Sequence, residues 1–189
     1  MKVVEVEYGR YLLKAGVQKN GALGRAFIRA KQGAGILCEV KAKTPDLAIE
    51  ALKQALDETD RAARKNRRRD EKLEFDVPTV AEYQLALSKI SPDGSYRSML
   101  EAHARAGREG LTAGQLAEAA GYANFNAANL HYGKLGREVA DFLGVALPAS
   151  TARPGEDVAT GVLAGIGPEE GIFVWVMRPE LRAALGYPE

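Results

Sequence analysis

The sequence predicts an α+β fold in two units, and three observations lead to it. Short alternating stretches broken by glycine run as far as Lys43, amphipathic helical periodicity dominates from Thr44 to Gly144, and the charge changes sign along the chain. Residues 1–76 hold 17 basic and 12 acidic side chains, a net charge of +5, and residues 77–189 hold 9 and 13, a net −4, within a chain of +1. Such a split marks two units with different electrostatic tasks. The join falls in the acidic, proline-containing stretch LEFDVPT, Leu73–Thr79, which gives an N-terminal unit over 1–76 and a mostly helical unit over 77–189. With 189 residues, 46% of them hydrophobic, the chain can bury a core in one medium or two small domains.

The first unit reads as a three-stranded antiparallel sheet followed by a helix, βββα. VVEVEYGRYLLKAG alternates as one strand, NGALGRAFIRAKQG opens on the hairpin dipeptide Asn20-Gly21, and GILCEVKAK is a third strand after a turn at Gly33 and Gly35. Thr44 can cap the following helix and Pro45 suits its first turn. Ala48, Ala51, Leu52, Ala55 and Leu56 form an apolar stripe able to lie on one face of the sheet.

Beyond that stripe the helix becomes cationic. In DRAARKNRRRDEK, residues Arg61, Arg64, Lys65, Arg68, Arg69 and Lys72 recur at three- and four-residue spacing, so an extended helix would carry one basic side. Such a side binds phosphates through counterion release, without regard to sequence. The plainer reading is a solvated helix end whose cations complement the C-terminal dipole and pair with Asp57, Glu58, Asp60, Asp70 and Glu71.

Motifs for catalysis are sparse. CEVK places Glu39 and Lys41 like the E-x-K half of a metal-nuclease motif, but no Asp precedes it and only Glu5 and Glu7 could take that place. Alternating charges also describe the solvent face of a strand with Cys38 and Val40 turned inward. NGALGRA and KQGAGI lack the G-K-[ST] ending of a phosphate loop, and no G-x-S-x-G elbow is present. A single cysteine excludes an internal disulfide and a Cys-rich zinc site, and two histidines leave little for a metal cluster. No cofactor or catalytic residue is therefore expected. The N-terminus lacks the apolar core of a signal peptide and the longest apolar run, GIFVWVM, is too short to span a bilayer, so a soluble cytoplasmic protein is expected.

The second unit opens with TVAEYQLALSKI and SYRSMLEAHARAG, two amphipathic helices. His103 is expected as a surface or half-buried helical residue, since no ligating partner stands one turn away. Thr112 with Gln115 forms a capping box for a helix from Ala113 to Ala120 that stops at Gly121. NFNAANLHYGKLGREVADFLG then reads as a longer helix ended by Gly144, with Gly133 and Gly136 marking a kink or a close approach to another backbone.

Over LTAGQLAEAAGYANFNAANLHYGKLG the chain resembles a helix-turn-helix. Ala117 lies where the two helices would cross, Gly121 follows in the turn, and Tyr122, Ala127 and Leu130 take the places that hold the second helix to the first. The resemblance implies that the second helix is a recognition helix, with Asn124, Asn126 and Asn129 facing outward to adenine edges and Tyr132, Lys134 and Arg137 reaching phosphates or sugars. The strands expected at TGVLAGI and at Ile172–Met177 resemble the wing of a winged helix, and a short helix begins near Pro179. Alternation puts Phe173, Trp175 and Met177 on one strand face and Ile172, Val174 and Val176 on the other, both covered, with Trp175 in the core. The elements TVAEYQLALSKI, TAGQLAEAAGY, AANLHYGKLG and WVMRPELRAAL together resemble a recurrent bacterial domain sometimes associated with HNH-type nucleases or defence, although no HNH metal signature is present here.

These readings converge on a non-enzymatic DNA-binding protein of a bacterium or phage, regulatory or defensive in role. The acidic second unit keeps open a protein-interaction module such as an inhibitor or adaptor, because a DNA-reading face normally sits in a positive field. An unusual metal nuclease is the weakest alternative. A homodimer would suit a palindromic site, yet no heptad seam specifies one.

Overall fold

In a computed structural model, residues 3–29, 35–150, 153, 155–168 and 171–187 are described. The expected turn at Gly33 lies outside them. The chain divides into two compact units, Met1–Asn66 and Arg67–Glu189. The division falls ahead of Leu73, and because residues 67–76 carry four basic and four acidic side chains, each unit keeps the charge derived above.

The first unit has four strands rather than three, β1 (Val3–Tyr8), β2 (Tyr11–Gln18), β3 (Gly21–Ile28) and β4 (Cys38–Ala42), in one antiparallel meander, followed by helix α1 (Pro45–Lys65). The stretch read as one strand folds back at Gly9 and Arg10, which pairs Tyr8 with Tyr11. Gly9 takes φ +55°, which a two-residue hairpin turn favours at its first position and a β-branched residue resists. Alternation continues on both sides of so short a turn, so the sequence pattern does not reveal it. Leu13, Ala15, Ala22, Ala26 and Ile28 are buried on one sheet face, against Ala48, Ile49, Leu52 and Leu56 of α1. Gly24 keeps that layer thin, since a Cβ there would meet Leu52 and Ala48. Thr44 caps α1 as expected, its hydroxyl accepting from the Leu47 amide at 3.3 Å.

The other sheet face carries a row of charges in register, Glu5 opposite Lys14 opposite Arg25 opposite Glu39. Lys14 pairs with Glu5 and Arg25 with Glu39, each at 2.9 Å. Glu39 is thus a cross-strand partner on an outer face, and no group of three or more His, Cys, Asp or Glu poised for a metal occurs among the described residues.

α1 ends at Lys65, capped by Asn66, so the extended basic helix is not formed. Arg68 and Arg69 instead sit on β5 (Arg68–Asp70), paired with β6 (Phe75–Val77) in a hairpin of the second unit. The neighbours on either side are drawn into that unit: Arg67 pairs with Glu82 at 2.6 Å, and Asp70 pairs with the buried Arg178. Those ties satisfy charges that continued helix would leave in water.

The second unit then runs through α2 (Val80–Ile90), α3 (Gly94–Ala106), α4 (Ala113–Ala119) and α5 (Phe125–Leu143), a 3₁₀ turn at Ala159–Val162, β7 (Ala164–Ile166), β8 (Trp175–Met177) and α6 (Pro179–Ala184). β7 pairs antiparallel with β8, and Leu111, just ahead of α4, bridges Trp175 on the other side of β8. The long segment between α5 and β7 is clasped at several points. The Arg178 guanidinium donates to the Gly161 carbonyl at 2.9 and 3.1 Å and lies over the Phe75 ring, and the Tyr83 hydroxyl donates to the Val162 carbonyl. Burial raises the Asp70 carboxyl, but the Arg178 bond and the Leu73 and Lys72 amides outweigh it and hold Asp70 below the usual carboxylate range. No helix among the described residues is long and apolar enough to cross a membrane.

The two helical glycines of α5 differ in role. A Cβ at Gly136 would overlap the Ala159 carbonyl, whereas one at Gly133 would meet only the Thr160 hydroxyl at an ordinary 3.7 Å. Gly133→Ala should therefore stabilise the protein by about 0.5–1 kcal/mol through helix propensity. Gly136→Ala should destabilise it by about 1–3 kcal/mol because backbone overlap exceeds that gain. Chemical denaturation of both variants checks the contrast, and equal effects would contradict it.

Candidate nucleic-acid interface

The α4–α5 pair is built from local signals. Thr112 accepts from the Gln115 amide while the Gln115 side chain accepts from the Thr112 amide at 2.8 Å, so the expected capping box starts α4. Gly121 turns the chain at φ +71°, and the Asn124 side chain accepts from the Ala127 amide at 3.1 Å to start α5. Asn124 is thereby occupied as a cap. With Phe125 as the first helical residue, Ala128, Tyr132, Leu135, Val139 and Ala140 form the inward stripe.

That register corrects two expectations. Tyr132 does not face outward: it is buried, three residues beyond Asn129 on the side that packs. Leu130, expected to hold α5 against α4, is instead 57% exposed. Ala117 is buried at the helix crossing as expected, and Tyr122 is half-buried, stacked on His131 at 5.0 Å with its hydroxyl donating to Ser95 at 2.7 Å.

Tyr132 is held by His103, which is fully buried rather than at the surface. His103 Nε2 lies 2.8 Å from the Trp175 carbonyl and Nδ1 2.9 Å from the Tyr132 hydroxyl. A carbonyl only accepts, so Nε2 carries the proton and Nδ1 accepts from Tyr132. Burial pushes the imidazole down to about 4, against the opposing pull of the Trp175 carbonyl. One neutral ring thus joins α3 to both α5 and β8.

The exposed side of α5 carries Asn126, Asn129, Lys134 and Arg137 together with Phe125, 55% exposed. Ile172 and Phe173, expected to be covered on a strand, lie ahead of β8 and are 79% and 55% exposed. Phe173 packs edge-on against the half-buried Trp175, ring centres 5.1 Å apart at 90°. Between this aromatic pair and α5 runs an open groove of about 360 Å³, lined by Asn129, Gly133, Asp157, Thr160, Phe173 and Trp175.

The basic residues do not form one stripe. Arg61, Arg64 and Lys65 are exposed on the last turns of α1, where the helix dipole favours cations. Arg68 pairs with Glu180 at 2.8 Å and Arg69 with Asp76 at 3.0 Å. The apolar members Phe125, Leu130, Ile172 and Phe173 were missed by sequence reasoning. A signal existed for Phe125, which directly follows an Asn cap. For Ile172 and Phe173 the apolar run reads as buried strand. No family model, curated protein or solved structure matches this chain.

The buried imidazole makes stability depend on pH. Its folded value lies below the ordinary 6.5, so the unfolded chain takes up the proton first, and the stabilisation present above pH 6.5 is lost as the pH falls towards 4. The loss attributable to His103 should amount to about 3 kcal/mol over that window. Denaturant titrations at stepped pH on the native protein and His103→Gln check it. The variant should be less stable near neutrality and lack this part of the slope, and parallel pH profiles would contradict the assignment.

Proposed function

We propose that the chain is a non-enzymatic DNA-binding protein whose α4–turn–α5 pair reads a duplex. One observation carries the reading: the first turns of α5 present Asn126 and Asn129 outward from a fixed Asn124 cap while the opposite stripe is buried. Asparagine bonds bidentately to the adenine edge in the major groove, and a helix capped and packed on one side can enter that groove with its N-terminal turns. The order α3, Leu111 bridge, α4, α5, β7, β8 supports a winged-helix arrangement, in which β7 and β8 belong to the wing. Lys134 and Arg137 are exposed on the same helix, and on this reading they meet phosphates. Arg61, Arg64 and Lys65, on the unit with net charge +5, supply sequence-independent attraction that the acidic second unit lacks.

A protein partner on the same face is the second reading. Four large apolar side chains exposed on α5 and ahead of β8, two of them phenylalanines, favour it, since aromatic groups are enriched at protein contacts.

Binding to duplex DNA across a salt series decides between them. Asn126→Ala or Asn129→Ala should remove about 1–3 kcal/mol of discrimination at one or two base pairs while leaving fold and non-specific affinity intact. Changing Arg61, Arg64 and Lys65 together to Gln should weaken binding to all sequences and flatten the logarithmic salt slope by about 0.9 for each phosphate no longer neutralised. Absence of duplex binding at low salt would overturn the reading in favour of the protein partner.

A further inference from the structure

We propose that the groove between α5 and the Phe173–Trp175 pair receives an unstacked nucleobase. The inference rests on the nucleic-acid reading above and names what that surface takes in beyond a duplex edge.

Three features carry it. The first is the aromatic pair: Phe173 is more than half exposed and meets Trp175 at right angles, and both rings line the groove, so aromatic faces border it. Bases of any identity stack on such faces. The second is the polar edge. Asn129 and Asp157 line the same groove, and Thr160 lies beside Gly133, where the missing side chain widens the floor. An amide donates and accepts, and a carboxylate accepts from exocyclic amines, which is the chemistry of a base edge. The third is charge. Asp157 disfavours a phosphate inside the groove, while Arg137 stands outside, continuing the Phe125, Asn129, Gly133 column at four-residue spacing. Arg153 lines the rim in an exposed ion pair with Glu156 at 2.9 Å, the kind of pair that water and phosphate readily replace. The base edge is therefore directed inward and its phosphates outward. A groove of about 360 Å³ is large enough for one base with part of its sugar.

Trp175 is the only tryptophan in the chain, so its fluorescence reports the groove directly. The full-length protein is titrated with a mixed-sequence DNA single strand, with an abasic strand of equal length, and with the matching duplex carrying 2-aminopurine in place of one adenine. The single strand should quench Trp175 and the abasic strand should not. Phe173→Ala should weaken single-strand affinity about tenfold, and Phe173→Tyr, which keeps the π-face, should restore it. A rise in 2-aminopurine emission identifies a base drawn out of the duplex, and single-strand quenching without that rise identifies strands already open. The proposal is overturned if the abasic strand quenches equally, if Phe173→Ala binds the single strand like the native protein, or if neither base-bearing probe alters emission. Duplex binding that persists alongside any of these leaves the duplex reading standing, and failure of every probe to bind removes both.

Discussion

The second unit depends on one buried imidazole. His103 is the point at which α3, α5 and β8 are tied, through the Tyr132 hydroxyl on one ring nitrogen and the Trp175 carbonyl on the other. The Tyr132 bond requires an unprotonated Nδ1, and burial keeps the ring neutral far below ordinary histidine titration. Because Tyr132 belongs to the inward stripe of α5, fixing it fixes which residues of that helix face out. Because the Trp175 carbonyl belongs to β8, the same ring sets the distance between the aromatic pair and the helix. The Gly136 approach to Ala159 and the Arg178 clasp on Gly161 hold the third wall, so the groove is bounded by three elements that cannot slide independently.

Short-range signals were legible in the sequence and long-range ones were not. The Thr112–Gln115 box, the Thr44–Pro45 start, the stop at Gly144 and the helix at Pro179 depend on residues within one turn of each other, and all stand where the pattern put them. The partners of His103 lie 29 and 72 residues away, and Glu180, which neutralises Arg68, lies 112 away. No periodicity announces such pairs. Residues 61–72 therefore read as helix until the distant charges that draw Arg67 to Glu82 and Asp70 to Arg178 are in place. Tyr132 shows the same limit within a helix: its spacing from Asn129 fits an outward row, and only the start at Phe125 decides which row packs.

Of the candidate site, Asn126, Asn129, Lys134 and Arg137 were read from sequence and are on the surface. The apolar part was not, because Ile172 and Phe173 look like core when the strand is taken to begin before them, whereas β8 starts only at Trp175. The resulting face mixes amides and aromatics with few charges. Such a face gains little from long-range attraction and much from close fit.

The most direct test of the proposed interface is a backbone-amide NMR titration of the full chain with a DNA duplex. Saturable shifts concentrated at Phe125–Lys134 and Ile172–Trp175 are the predicted result. Shifts confined to other parts of the second unit, with those two segments unmoved at saturation, would contradict it.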